Sequence, residues 1–207
     1  MKNILIHGLG QNSKDWDTIK NELETRGISS VAPDLFDLAK GRKLDYPTVY
    51  QAFSELCESY QDKLNLCGLS LGGLLALNYA IQYPKKINSL VLIGTPFEIP
   101  KGLLKFQNIV FRFMPKAVFQ NMGVSKKDFI RLSKSMVDLN FMDSATALDC
   151  PALILCGAKD KTNMESAKRF HEAMKNSKLV IVEASGHEVN KDNPNELVRV
   201  LQDFWAD

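Results

Sequence analysis

Several things that a chain of 207 residues can carry are scarce or missing here. There are four cysteines, Cys57, Cys67, Cys150 and Cys156, each in or beside an apolar run, with no C-x-x-C pair and no histidine at metal-ligand spacing. That argues against a disulfide scaffold and a thiolate metal site, and it fits reduced core thiols in a cytoplasmic protein. A charge excess is lacking too: 26 Lys and Arg are intermixed with 24 Asp and Glu, a net of +2. Such a balance makes no case for nucleic acid or an anionic membrane as partner. No apolar run approaches the ~18 residues of a membrane span. The opening Met1-Lys2-Asn3-Ile4-Leu5-Ile6-His7 is too short an apolar stretch for a signal peptide. Neither an internal repeat nor a low-complexity tract is present. Gly8-Leu9-Gly10 lacks the third glycine of a dinucleotide fingerprint, position 13 being serine. Nothing in the chain asks for a metal or a cofactor.

What is present is ordinary for a globule with a good core, 45% hydrophobic and 24% charged, and the length fits one domain or one domain with a large insertion. Short apolar runs read as strands at Ile4 to Ile6, Ile28 to Ala32, Leu64 to Cys67, Ser89 to Ile93, Ala152 to Cys156 and Leu179 to Val182. Helical spacing follows them: Trp16, Ile19 and Leu23, closed by Gly27, then Val49 to Tyr60, Leu74 to Tyr83, Met164 to Met174, and a last helix opened by Asn193-Pro194-Asn195-Glu196. Residues 35 to 47 read as a polar loop. Strands alternating with helices imply an α/β fold, a mostly parallel sheet of about six strands with helices on both faces.

Residues 97–147 break this rhythm, being too long for a simple connection and without a strand signal. Leu103, Leu104, Phe106, Ile109, Val110, Phe113 and Met114 make one heavily apolar helix. Ser125 with Asp128 caps a second, carrying Phe129, Leu132, Met136 and Val137. The expected organisation is a core of residues 1–96 and 148–207 with a helical insertion, 97–147, over the end of the sheet. Phe106, Phe111, Phe113, Met114, Phe119 and Met122 are candidates for lining an acyl pocket, Phe106, Phe113 and Met114 foremost, or for merely packing the insertion on the body. Lys101, Lys105, Arg112 and Lys116 give the first helix a basic side, read as a solvated face.

The chemistry centres on Gly68-Leu69-Ser70-Leu71-Gly72. A bare G-x-S-x-G arises by composition in roughly 7% of chains this long. Here an apolar strand precedes it and an apolar helix follows, the setting of a nucleophile elbow. Such a serine sits on a strained turn with its hydroxyl pushed off the sheet, where strand and helix pass too closely for side chains at the flanking glycines. An activated serine needs a base, and the base an orienting acid. Three histidines leave little choice. His171 sits on a polar helix face, and His7 precedes a Gly loop, where its ring ties loops together. His187 alone lies in a turn after a late strand. Asp160 follows the fifth strand, where sites form in open parallel sheets. Glu98, after the fourth strand, stays open as an alternative acid, with Asp143 a further rival and Asp34 a turn residue. The tetrahedral intermediate needs two N–H donors. Leu71, at the start of the elbow helix, offers one, and Leu9 in the Gly loop the best second.

Ser70, Asp160 and His187 stand in the chain order of the alpha/beta-hydrolase superfamily, which this sequence resembles over nearly its whole length. His7-Gly8-Leu9-Gly10 with Trp16 is similar to that family's oxyanion loop, Gly68 to Gly73 to its elbow, Gly157 to Asp160 to its acid turn, and Gly186-His187 to its histidine loop. Residues 97–147 match its variable cap in position only. The resemblance implies the sheet order 4-3-5-6-7-8 in the family's strand numbering, with this chain opening on the third strand. It departs at Phe36-Asp37-Leu38-Ala39, where a Gly-His-Gly turn is common. The implied function is a serine carboxylesterase acting on a small or acyl-chain ester, or a thioester, through an acyl-enzyme on Ser70. Carbon–carbon bond hydrolases, cofactor-free peroxidases and non-catalytic ligand binders share the fold.

Overall fold

A computed structural model describes residues 1–97, 111 and 113–206. Its six strands are β1 (Lys2–Ile6), β2 (Ser30–Val31), β3 (Leu64–Leu69), β4 (Ile87–Ile93), β5 (Ala152–Gly157) and β6 (Ser177–Val182). They form one sheet in the order β2-β1-β3-β4-β5-β6. Every neighbouring pair is parallel, so the sheet is parallel throughout rather than mostly. That order is the one the family resemblance implied.

The strands read as continuous apolar runs because both faces are covered. Ile4, Ile6, Leu66, Leu90, Leu92, Ile154 and Cys156 pack into one core layer. Leu5, Cys67, Leu69, Val91, Ile93, Leu153 and Leu155 pack into the other. Successive residues of one strand therefore serve opposite layers. Helices α1 (Asp17–Thr25) and α10 (Pro194–Ala206) cover the second layer through Ile19, Leu23, Leu197 and Leu201. The first is covered by α3 (Tyr46–Glu58), α4 (Leu71–Gln82) and α8 (Met164–Ala173), whose Val49, Phe53, Leu75 and Phe170 point inward. Helix α4 is buried at nearly every position from Leu71 to Ala80, as expected of a helix laid against the sheet centre.

Two local readings need correction. Residues 35 to 47 are not a plain loop. Asp34 accepts from Phe36 N–H (3.0 Å) and Asp37 N–H (3.2 Å), capping the one-turn helix α2 (Leu35–Leu38). Asp45 then caps α3, which starts three residues earlier than its apolar spacing suggested. Both starts are set by side-chain caps, which periodicity does not register. Asn193 caps α10 as expected, accepting from Glu196 N–H at 3.3 Å.

Between β4 and β5 the described residues hold α5 (Lys116–Asn121), α6 (Lys126–Ser135) and α7 (Met142–Ala145). Ser125 caps α6 through Asp128 N–H, and Phe129 and Leu132 are buried, as the sequence indicated. Phe119 is fully buried and meets Phe129 edge-on at 5.1 Å. The apolar helix expected from Leu103 lies largely outside the described residues. So do Phe106, Lys101, Lys105, Arg112 and the alternative acid Glu98. A short helix not anticipated from sequence, α9 (Val189–Asp192), starts two residues after His187.

Candidate active site

Parallel strands end together at one edge of the sheet, and five loops meet there. In register, Ile6 of β1 lies beside Gly68, Leu69 beside Ile93, and Gly157 beside Val182. The loops carrying Leu9, Ser70, Gly94, Asp160 and His187 thus leave the sheet at one level.

Ser70 links β3 to α4 in one residue. Its φ of 53° and ψ of −110° lie in a region that side chains rarely adopt. Such a conformation costs about 1–3 kcal/mol and persists where the surroundings force it. Close packing does so here. A Cβ built on Gly68 would come 2.3 Å from the Gly72 carbonyl, and one on Gly72 would come 2.2 Å from Ile6 O. Any side chain at either glycine would push β3, α4 and β1 apart. The Ser70 N–H donates to Ile93 O (2.9 Å), and its side chain is half-buried. Among the described residues its hydroxyl makes no hydrogen bond. The other non-glycine residue with positive φ, among those described, is Ala184, three positions before His187.

His187 Nδ1–H donates to Asp160 Oδ2 at 2.7 Å. The Asp160 side chain is buried, while the His187 side chain is 40% exposed. Asn163, which sequence reasoning missed, completes the carboxylate's shell. Its backbone N–H reaches Oδ1 (3.2 Å), and its Nδ2 reaches Oδ1 (3.0 Å) and Oδ2 (2.8 Å). Burial by itself would raise the Asp160 pKa; the hydrogen bonds from His187 and Asn163 outweigh it and hold the carboxyl below its ordinary value. An asparagine three residues past the acid was the available sequence signal, since that spacing lets one side chain turn back on the other.

Gly94 ties the serine and histidine sides together. It follows Ile93, the acceptor of the Ser70 amide, and a Cβ on it would lie 3.0 Å from His187 Nδ1 and 3.2 Å from Asp160 Oδ2. On the other flank, a Cβ on Gly8 would lie 3.5 Å from Ser70 Cβ, which sets the loop holding Leu9 against the elbow. The Leu71 amide sits in the first turn of α4, where backbone N–H groups have no intrahelical acceptor.

The remaining candidates fall where the sequence placed them or are disqualified by position. His7 is fully buried; its Nδ1–H donates to Gly8 O (2.9 Å) and its Nε2 accepts from Leu35 N–H (2.9 Å). Burial lowers its pKa despite Asp34 nearby, so it ties two loops together as a neutral ring. His171 is exposed on α8, and Asp143 is exposed in α7. Cys156, at the end of β5, is no rival nucleophile: burial, with Asp160 beside it, pushes its thiol up to about 12. Of the pocket-lining candidates, Phe113 is 84% exposed and Met114 half-buried. Met122, also a candidate, has its Cε 3.9 Å from where a Gly10 Cβ would stand. Among the described residues no cluster of metal-binding side chains exists, and no helix is long and apolar enough to cross a membrane.

A parallel sheet, a strained serine at the strand-to-helix turn and a histidine–carboxylate pair at the same edge define the hydrolase class of α/β proteins. The chain belongs to the alpha/beta hydrolase fold family, whose model matches residues 4–130. Lipase 3 of Moraxella sp. is 26% identical over 238 residues, covering 93% of this chain and 75% of that one. Two solved structures share the fold. An esterase from Thermogutta terrifontis superposes with a TM-score of 0.82 at 18% identity, covering 100% of this chain and 89% of its own. An enol-lactonase from Burkholderia xenovorans gives 0.84 at 15%, covering 100% and 92%.

Proposed function

We propose that this protein is a serine hydrolase that cleaves a carboxylic ester, or the chemically close thioester, of a small or acyl-chain substrate. Ser70 attacks the carbonyl carbon, and His187 takes the hydroxyl proton on Nε2, its Nδ1–H being held by Asp160. The oxyanion is met by the amides of Leu9 and Leu71. Collapse expels the alcohol, protonated by His187, and leaves an acyl group on Ser70 Oγ. Water, deprotonated by the same histidine, then releases the acid. No cofactor enters these steps.

The observation that carries this reading is the meeting, across Gly94, of the strained Ser70 turn with the 2.7 Å His187–Asp160 pair. The lipase and esterase relatives support the ester bond as the target. In this reading residues 97–147 serve as a cap, and Met122 lies against Gly10 of the loop after β1. The test is hydrolysis of p-nitrophenyl esters of graded acyl length by wild type and Ser70→Ala. Turnover should fall by about 10³-fold or more in the variant, and the best acyl length sizes the pocket. Equal rates for the two proteins would reject the reading.

A further inference from the structure

The loop after β1 and the turn bearing His187 come from opposite ends of the chain, yet two buried amides join them. Gln11 is 1% and Asn190 2% exposed. Gln11 Nε2 donates to Asn190 Oδ1 (3.1 Å) and to Glu188 Oε1 (2.9 Å). Asn190 Nδ2 donates to the Asp15 carbonyl (3.0 Å) and, more weakly, to Gln11 Oε1 (3.4 Å). Outside this pair, Lys191 Nζ bridges Asp15 Oδ1 (2.9 Å) and Glu188 Oε1 (3.3 Å). Gln11 stands two residues after Leu9, and Glu188 directly follows His187.

We infer that Gln11 and Asn190 are positioning residues that fix the oxyanion loop relative to the catalytic histidine; this rests on the function proposed above. The physical case is directional. Apolar packing lets loops slide, whereas two buried amides with complementary donors and acceptors accept one relative placement, and any slip strands a polar group. Leu9 N–H and His187 Nε2 must act on one tetrahedral centre, so their separation is a catalytic variable while neither amide touches substrate. The Lys191 bridges are half-exposed and hold such a separation poorly by themselves.

The test uses Gln11→Met and Asn190→Leu, close in shape but without amides, and the double variant. Steady-state hydrolysis of the best p-nitrophenyl ester is followed at a temperature where circular dichroism shows each protein folded. Each single variant should lose about 10- to 100-fold in kcat, the scale of a displaced catalytic group, with KM within about twofold. The double variant should be no slower than the worse single, because both changes cut the same link. It also keeps the test available if one single variant fails to fold, since it strands neither amide. A folded variant with wild-type kcat, losses confined to KM, or losses that multiply in the double variant would overturn the inference. Ser70→Ala runs alongside. Wild-type turnover that depends on Ser70 but ignores Gln11 rejects this inference alone, whereas turnover indifferent to Ser70 rejects the function and this inference with it.

Discussion

Gly94→Ala isolates how the two halves of the site are held together. Gly94 has a φ of +51°, and an added Cβ would sit 3.0 Å from His187 Nδ1, 3.1 Å from His187 Cε1 and 3.2 Å from Asp160 Oδ2. Two costs follow. A left-handed conformation costs a residue with a Cβ about 1–2 kcal/mol. The contacts are a few tenths of an ångström too short, and they fall on a hydrogen-bonded pair, so ring and carboxylate must shift together. Gly27 separates the two costs: its φ is +77°, with nothing within 4 Å of an added Cβ. Both alanine variants should lower the melting temperature by about 2–8 °C, taking roughly 2–4 °C per kcal/mol at this size. Gly94→Ala alone should also lose about tenfold in kcat, because catalytic groups must be held within about 0.5 Å. The assay is thermal unfolding beside ester hydrolysis for both variants. Equal, undiminished kcat in the two would refute the claim that Gly94 packs against the proposed catalytic histidine.

His7→Gln tests the neutral buried ring. Burial lowers the His7 pKa, so the folded chain takes up that proton less readily than the unfolded one. Its contribution is complete above the unfolded value of about 6.5 and is lost as pH falls below it, at most about 1.4 kcal/mol per pH unit. Urea midpoints at pH 7.5 and 5 should therefore fall further in wild type than in His7→Gln, and parallel falls would contradict this. Phe119→Ala removes a fully buried ring from its contact with Phe129 in the segment between β4 and β5. A loss of about 3–5 kcal/mol in chemical unfolding is expected; a loss below 1 kcal/mol would show that these helices are not packed as described.

Much of the site was legible because each part has a local cause. Gly68 and Gly72 flank Ser70 at the one spacing that lets strand, serine and helix crowd together, and the structure turns that spacing into 2.2–2.3 Å approaches. Three histidines in three different settings let position pick out His187, and it is the one found on Asp160. The start of α2 was missed because Asp34 was read as a turn residue, when its carboxylate caps two amides. A lone polar residue before a short apolar stretch is ambiguous until the chain is folded.

By itself the sequence determined the six strands, both buried faces of the sheet and the glycine-flanked turn at Ser70. These follow from burial and steric rules acting over a few neighbouring residues, and they repeat with the period of a strand or a helix. Only the tertiary structure decided that Asn163 closes over Asp160, that Gly94 lies against His187, and that Gln11 meets Asn190 across 179 positions of chain. Polar contacts between loops have no period. They depend on the register in which parallel strands end, and that register is fixed when the sheet assembles.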